Sequence, residues 1–358
     1  MIKLLILGAT GSIGTTCLNS LRKNNPGIEI VAISAFENKE KLEAIQSEFN
    51  ISKASLFKDK SNKEIKAFIQ GSGATIVLNA IAGADGLFAT LCALECGMDV
   101  ALANKESVVM GGDFLFEFAR EHNAKIIPVD SEHSAIYNLL AERKASRLLI
   151  TASGGPFIDR KDTRDVTVEE ALNHPTWKMG KKITIDSSTL ANKGLEVIEA
   201  SFLFGFDADD IKVVIHRQSI VHSMIQTPEG SIYAQMSPPD MALPIISAIA
   251  DKKIKLEDIV KPLSFDNLTL TFEKPNLEQF PMLDLAYESL RKKGSYPIAF
   301  NAANEIAVHA FLDGKISYSA ISNITRKVLG HDFSRTSNSY DKIMAMDSRA
   351  RELAIKEL

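Results

Sequence analysis

The sequence predicts an α/β protein in three parts: an N-terminal domain of parallel strands alternating with helices, a second α/β domain with a mainly antiparallel sheet, and a C-terminal helical bundle. Strand-length apolar runs recur between helix-compatible stretches through residues 1–129, as in repeated strand–helix units. Residues 212–236 hold short runs with apolar-polar alternation, which suits a sheet with one exposed face. From Pro281 onward, apolar residues return at helical spacing in PMLDLAYESLRKK and NAANEIAVHAFLDGK. Between these parts, 251–280 is charged and irregular and reads as a linker, so the expected divisions are 1–129, 130–250, 251–280 and 281–358.

The first strand, residues 2–7, runs straight into Gly8-Ala9-Thr10-Gly11-Ser12-Ile13-Gly14 and then a helical pattern. Glycines at this spacing let the backbone approach a pyrophosphate that the following helix N-terminus holds, so the first domain is expected to be Rossmann-like and to bind a dinucleotide. Further strands are predicted at 28–34, 53–57, 75–79, 98–102 and 125–129. Loops at two strand ends, beginning at Ala80 and at Asn104-Lys105-Glu106, should border the cofactor. A residue reading the ribose 2′ position stands about 20 residues beyond such a turn. Ser34 lies near that point, and its small hydroxyl leaves room for a 2′-phosphate, which points to NADP.

Strand 125–129 ends in Asp130-Ser131-Glu132-His133. Two carboxylates one residue apart at the carboxyl end of a parallel strand lie where such sheets bind ligands. A helix N-cap with an acidic first turn competes with that reading and accounts well for Asp130. What favours a site is a third carboxylate, Glu196, in the stretch HPTWKMGKKITIDSSTLANKGLE at 174–196. Three hard oxygen ligands suit Mg²⁺ or Mn²⁺ and leave positions open for substrate oxygens. In the same stretch Ser187 and Ser188 precede a helix-compatible run, so their hydroxyls and the first N–H groups form an anion site, with Asn192 and Lys193 near the Glu196 face. Residues 148–157 read as a strand breaking into a serine-glycine turn, which adds Ser153 to a phosphate nest. WKMGKK has neither strand nor helix period and reads as a mobile loop, and the charges around Trp177 favour a lid over a core position. Taken alone, His174 reads as a turn residue before a proline, and His216 and His222 as ordinary strand residues.

A net charge of −4 offers no basic surface for nucleic acid, and no apolar run approaches the ~20 residues of a membrane span. With no charged n-region and apolar h-region at its start, the chain is expected to be soluble and cytoplasmic. Cys17, Cys92 and Cys96 read as buried thiols rather than a metal or redox site.

The motifs GATGSIG at 8–14, ALANKES at 101–107, PVDSEHSAI at 128–136, TASGGPF at 151–157, HPTWKMGKKITIDSSTLANKGLEVIEA at 174–200, QSIVHSM at 218–224 and NAANE at 301–305 are jointly specific. They resemble the 1-deoxy-D-xylulose 5-phosphate reductoisomerase family over nearly the whole chain. The resemblance implies metal-dependent isomerisation and NADPH-dependent reduction of that substrate to 2-C-methyl-D-erythritol 4-phosphate, in the non-mevalonate route to isoprenoid precursors, by a homodimer whose antiparallel sheet lies in the interface. It implies that Asp130, Glu132 and Glu196 bind the metal and act in catalysis with Lys105 and His174. Ser153, Ser187, Asn192 and Lys193 would hold the substrate phosphate, with Ser131, His174, Trp177 and Met179 also on the substrate. Gly8, Thr10, Gly11, Ser12, Ile13, Gly14, Ser34, Asn38, Ala80, Asn104, Glu106 and Gly180 would border NADPH. One departure stands out: the loop after the second strand, which in the family carries glycine, lysine and asparagine, here reads Phe36, Glu37, Asn38. Glu37 is expected to face solvent while Lys39 or Lys41 supplies the compensating charge.

A dehydrogenase acting on an aldehyde without rearrangement explains residues 1–129 equally well but not three carboxylates gathered with a phosphate site. A nucleotide-sensing regulator needs only the dinucleotide fold and should lack both the carboxylate cluster and the lid.

Overall fold

The computed structural model describes residues 1–25, 27–160, 162–163, 165–177, 179–250 and 259–358. It divides into two units: Met1–Ser107 with Gly112–Tyr137 and Ser237–Ser264, and Val108–Gly111 with Asn138–Met236 and Phe265–Leu358.

In the first unit, strands and helices alternate as β1 (Ile2–Leu7), α1 (Ser12–Lys23), β2 (Ile28–Ala35), α2 (Lys39–Glu48), β3 (Lys53–Leu56), α3 (Asn62–Gln70), β4 (Ile76–Asn79), α4 (Gly86–Glu95), β5 (Asp99–Leu102), α5 (Lys105–Glu121), β6 (Ile126–Pro128) and the start of α6 (Ser131–Glu142). The strands form one parallel sheet in the order β3-β2-β1-β4-β5-β6. Continuous apolar runs make the central strands because both faces are covered by helices; the last four residues of β1 are buried accordingly. Strand order reverses between β1 and β4, which opens the crevice where such sheets take ligands. Local signals set the helix starts: Ser61 and Glu64 form a reciprocal capping box on α3, and the Asn38 side chain caps α2 by accepting from Lys41 N–H.

The later elements are β7 (Arg147–Ala152), α7 (Val168–Leu172), α8 (Lys181–Ser188), α9 (Ala191–Phe204), β8 (Ile211–Ile215), β9 (Val221–Gln226), β10 (Ile232–Met236), α10 (Ala242–Ile249), α11 (Pro281–Lys292), α12 (Tyr296–Leu312), α13 (Ala320–Leu329) and α14 (Tyr340–Lys356). Here packing departs from the expected sequential divisions, because α10 returns to the first unit. Its Ile245, Ile246 and Ile249 share a core with Leu4 and Ile6 of β1 and Leu18 and Leu21 of α1. Strands β7 to β10 and the C-terminal helices instead form one unit. Of the expected linker, 251–258 lies outside the described residues; 259–280 contains no helix, and its one isolated bridge joins Glu273 to Ile215.

The second sheet has the order β10-β9-β7-β8; β7 and β8 run parallel and the other pairs antiparallel. The expected alternation appears in β8 only. β9 is buried nearly throughout, whereas β10 at the edge is mostly exposed, with Ile232, Tyr233 and Met236 open to solvent. β9, interior to the sheet and covered on both faces, keeps no polar face, whereas β10 leaves both of its faces largely uncovered.

Among the described residues no helix is long and apolar enough to cross a membrane. The cysteines are free thiols; burial pushes Cys17 and Cys92 up to about 12, so neither is a ready nucleophile.

Candidate active site

At the end of β1 the glycine turn is fixed by what it lacks. A Cβ on Gly14 would lie 2.5 Å from the Gly8 carbonyl oxygen, and one on Gly8, whose φ is +84°, would lie 2.6 Å from that of Ala80. These are backbone atoms that cannot move aside, so only glycine lets α1 start this close to the strand. Gly11, the N-cap of α1, has no side chain to lie across the first-turn N–H groups of Ser12 and Ile13. The turn therefore keeps its dipole end open, as a pyrophosphate requires. Lys41 reaches back to this turn: its Nζ donates to the Thr10 carbonyl at 2.8 Å and to Thr15 Oγ1 at 3.0 Å. Asn104 caps α5 by accepting from Ser107 N–H, and it donates to the Gly83 carbonyl and to Glu106, tying together the two loops expected beside the cofactor.

Ser34 does not fit its expected role. β2 continues to Ala35, so Ser34 lies within the sheet, 1% exposed, and its enclosed hydroxyl is not offered to a ribose. The solvent-facing residues at that strand end are Phe36, Glu37 and Asn38. Nor does either expected lysine compensate Glu37: Lys41 is on the glycine turn, and Lys39 lies 3.7 Å from Glu43. The cation on Glu37 is Lys58, at 2.5 Å.

At the other side of this sheet, β6 delivers Asp130, and α6 begins at once with Ser131 and Glu132. Lys105 Nζ lies 2.5 Å from Asp130 Oδ2, and Ser131 Oγ donates to Glu132 Oε2 at 2.6 Å. His133, passed over in the sequence, is fully buried with Nδ1 4.0 Å from Asp130 Oδ2. Its position three residues after Asp130 was the available signal.

In the second unit the turn after β7 packs on the end of α8. Gly155, at φ +66°, approaches so closely that a Cβ would lie 2.9 Å from the Ser187 carbonyl oxygen. This brings Ser153 and Ser187 to one imidazole: His174 Nε2 is 3.2 Å from Ser153 Oγ and 3.1 Å from Ser187 Oγ. His174 Nδ1 accepts from the N–H groups of Thr176 and Trp177, which assigns the proton to Nε2. Burial and then the Lys193 charge hold the His174 pKa below its ordinary value. The ring is thus a neutral donor joining two hydroxyls.

The expected serine pair separates. Both serines end α8 rather than capping α9, whose N-cap is Leu190 in a left-handed conformation, φ 58°. Ser188 is fully buried, donates to the Ile185 carbonyl and accepts from the Tyr318 hydroxyl at 3.2 Å, so it anchors the helix; only Ser187 faces His174. Asp186 is also an anchor, accepting from Asn304 Nδ2 at 2.8 Å and pairing with Lys182 at 2.9 Å. The WKMGKK segment is only partly a loop: Gly180 is the N-cap of α8, and its last two lysines begin that helix. Trp177 and Met179 are half-buried, and Lys178 lies outside the described residues.

On α9, Asn192 Nδ2 donates to Glu196 Oε1 at 2.5 Å, and Lys193 Nζ lies 2.7 Å from Glu196 Oε2. Lys193 and Glu196 thus pair within one turn of α9, and both members are buried rather than exposed. Glu199, one turn further along and also buried, was likewise overlooked in the sequence. Asp130, Glu132 and Glu196 offer only hard oxygen donors, which suit Mg²⁺ or Mn²⁺. In each unit a lysine ammonium supplies the positive charge on such a carboxylate, Lys105 on Asp130 and Lys193 on Glu196.

Models of the 1-deoxy-D-xylulose 5-phosphate reductoisomerase match residues 4–75 and 60–112, those of its C-terminal domain 126–204, and those of a second DXP reductoisomerase C-terminal domain 236–353. The chain is similar to the 1-deoxy-D-xylulose 5-phosphate reductoisomerase of Treponema denticola, 43% identical over 370 residues covering 99% of this chain and 97% of the relative. That of Treponema pallidum is 43% identical over 362 residues, covering 98% and 96%. Among solved structures, DOX-P reductoisomerase in complex with NADPH, fosmidomycin and magnesium matches with TM-score 0.92 and 37% identity, covering 100% of this chain and 98% of the other. The Zymomonas mobilis enzyme in complex with NADPH matches with TM-score 0.90 and 37% identity, covering 99% and 98%.

Proposed function

The chain belongs to the 1-deoxy-D-xylulose 5-phosphate reductoisomerase family, and from that membership we infer how its own residues carry out the reaction. It is an oxidoreductase that isomerises 1-deoxy-D-xylulose 5-phosphate and reduces the product to 2-C-methyl-D-erythritol 4-phosphate, with NADPH and a divalent metal as cofactors, on the non-mevalonate route to isoprenoid precursors.

When bound, the metal supplies positive charge beside the substrate's adjacent oxygens, and NADPH supplies the hydride. Asp130, Glu132 and Glu196 would hold that metal. Lys105 and Lys193 orient the carboxylates by ion pairing, and their ammonium groups are also within reach of substrate oxygens. Ser153, Ser187, Asn192 and Lys193 take the substrate phosphate. His174, protonated on Nε2, orients both serine hydroxyls so that their lone pairs and protons are arranged before the phosphate enters. Fixing the phosphate-bearing fragment matters because the carbon skeleton breaks and rejoins in a new order. Trp177 and Met179 cover the substrate and exclude water. Gly8 to Gly14, Asn38, Ala80, Asn104, Glu106 and Gly180 border NADPH. Residues 1–129 serve as the NADPH-binding part, whose core is completed by α10 from the catalytic and dimerisation part at 130–250, and 281–358 serve as the helical part. The exposed apolar edge of β10 supports a homodimer formed through it, and the chain works in the cytoplasm.

The observation that carries this reading is the histidine joined to two serine hydroxyls near a buried lysine–glutamate pair, since hydride transfer alone needs neither. Following NADPH oxidation with 1-deoxy-D-xylulose 5-phosphate tests it. Turnover should require Mg²⁺ or Mn²⁺ and yield the branched polyol phosphate; oxidation that proceeds equally in chelator, or that leaves the carbon skeleton unbranched, would favour the simple dehydrogenase.

A further inference from the structure

Where β2 and β3 end side by side, the ladder between them continues past the strands: Phe57 N–H donates to the Ala35 carbonyl at 2.9 Å and Lys58 N–H to the Phe36 carbonyl at 3.0 Å. This register sets Lys58 beside Glu37, and its Nζ lies 2.5 Å from Glu37 Oε2 with both side chains more than half exposed. Glu37 is the acid just past the end of β2, where a dinucleotide fold that takes an unphosphorylated ribose accepts the 2′-hydroxyl. By itself that carboxylate would repel a 2′-phosphate. We propose that Lys58 is a specificity-determining residue for the cofactor, clamping Glu37 so that it cannot accept a 2′-hydroxyl and presenting its own ammonium to a 2′-phosphate.

The chemistry fits. An ammonium has three donors, so one can stay on Glu37 while another meets a phosphate oxygen. The Glu37 hydrogen bond holds the Lys58 pKa above its ordinary value, so the charge is permanent at neutral pH. Lys41, with its Nζ on Thr10 and Thr15, keeps a second positive charge at the glycine turn. The cation therefore comes from the end of β3, while the loop after β2 supplies an acid. This inference rests on the dinucleotide reading of the first unit and adds the residue that chooses between its two forms.

The test uses the full chain and two adenosine fragments, 2′,5′-ADP and 5′-AMP, titrated by calorimetry, beside kcat/KM for NADPH and NADH. The unmodified protein should bind 2′,5′-ADP more tightly than 5′-AMP. Lys58→Ala should weaken 2′,5′-ADP by roughly tenfold or more and leave 5′-AMP unchanged. Lys58→Arg should retain the preference, and adding Glu37→Gln to Lys58→Ala should restore part of it. The NADPH-to-NADH ratio should follow the fragments. Unchanged 2′,5′-ADP affinity in Lys58→Ala overturns the role of Lys58 while leaving the dinucleotide site standing. If the unmodified protein binds neither fragment nor NADPH, the underlying reading fails and takes this one with it.

Discussion

Two corners of the molecule each start a helix beside residues proposed here to hold an anion, and they turn the chain by opposite means. The corner after β1 works through missing atoms: Gly8 and Gly14 leave the backbone so close that no side chain could be inserted. The corner between α8 and α9 turns on Leu190, a buried branched residue in the left-handed region at φ 58°. Such a conformation costs about 1–2 kcal/mol for a residue with a Cβ, and burial of the leucine side chain, about 1.5–3 kcal/mol, offsets it. A corner made of absences can be read one residue at a time. One made of packing and paired charges depends on neighbours far away in the sequence.

The sharpest separation of the two corners comes from Glu196→Gln. Losing a charged ligand and the Lys193 partner should cut kcat/KM by roughly 10³-fold, the equivalent of several kcal/mol, without changing NADPH affinity measured by fluorescence. If NADPH binding fell in parallel, the corners would not be independent.

Next in size is Lys193→Ala. Because the pair is buried, removal of one member should destabilise the chain by about 3–5 kcal/mol, read as a lowered denaturation midpoint, together with a raised substrate KM. Lys193→Met combined with Glu196→Gln should recover much of the stability and none of the activity. A single variant with unchanged stability would mean that the pair opens to solvent.

Gly14→Ala tests the other corner. A Cβ driven against fixed backbone should destabilise by about 1–3 kcal/mol and abolish NADPH binding, while phosphate-analogue binding to the second unit survives in whatever fraction remains folded. Tight NADPH binding by this variant would show that the turn can relax.

Smallest is the pH response of His174. A folded pKa below the unfolded value of about 6.5 means the unfolded chain binds more protons. Its contribution is therefore complete above pH 6.5 and declines as pH falls below that. Melting temperatures taken between pH 7.5 and 5.5 should drop less in His174→Gln than in the unmodified chain; equal slopes would remove His174 as the source.

The positions of the parallel strands and the glycine turn were legible because apolar runs and steric exclusion act locally. The position of Asp130 and Glu132 past the end of β6 was legible because the apolar run before them marks the strand. Ser34 was misread by a single extra strand residue, which moved the solvent-facing position to Phe36 and beyond. Ser188 is indistinguishable from Ser187 in sequence because the Tyr318 hydroxyl that anchors it is 130 residues away, and Lys58 carries no local signal because its partner Glu37 is 21 residues away. Lysine, serine and asparagine are common on surfaces, so pairings such as Asn304 with Asp186 leave no periodic trace.

Those anchors also set a timetable. Asp186 waits for Asn304, 118 residues later in the chain, and Ser188 waits for Tyr318, 130 residues later. At ~5–20 residues per second of synthesis, the ribosome needs on the order of ten seconds to supply the second partner after α8 has emerged. The dinucleotide turn, whose parts all lie within the first 80 or so residues, can close long before that. Contacts of such long sequence separation form late and slow the search. The nascent enzyme is thus equipped for its cofactor well before the helix end that presents Ser187 can be secured.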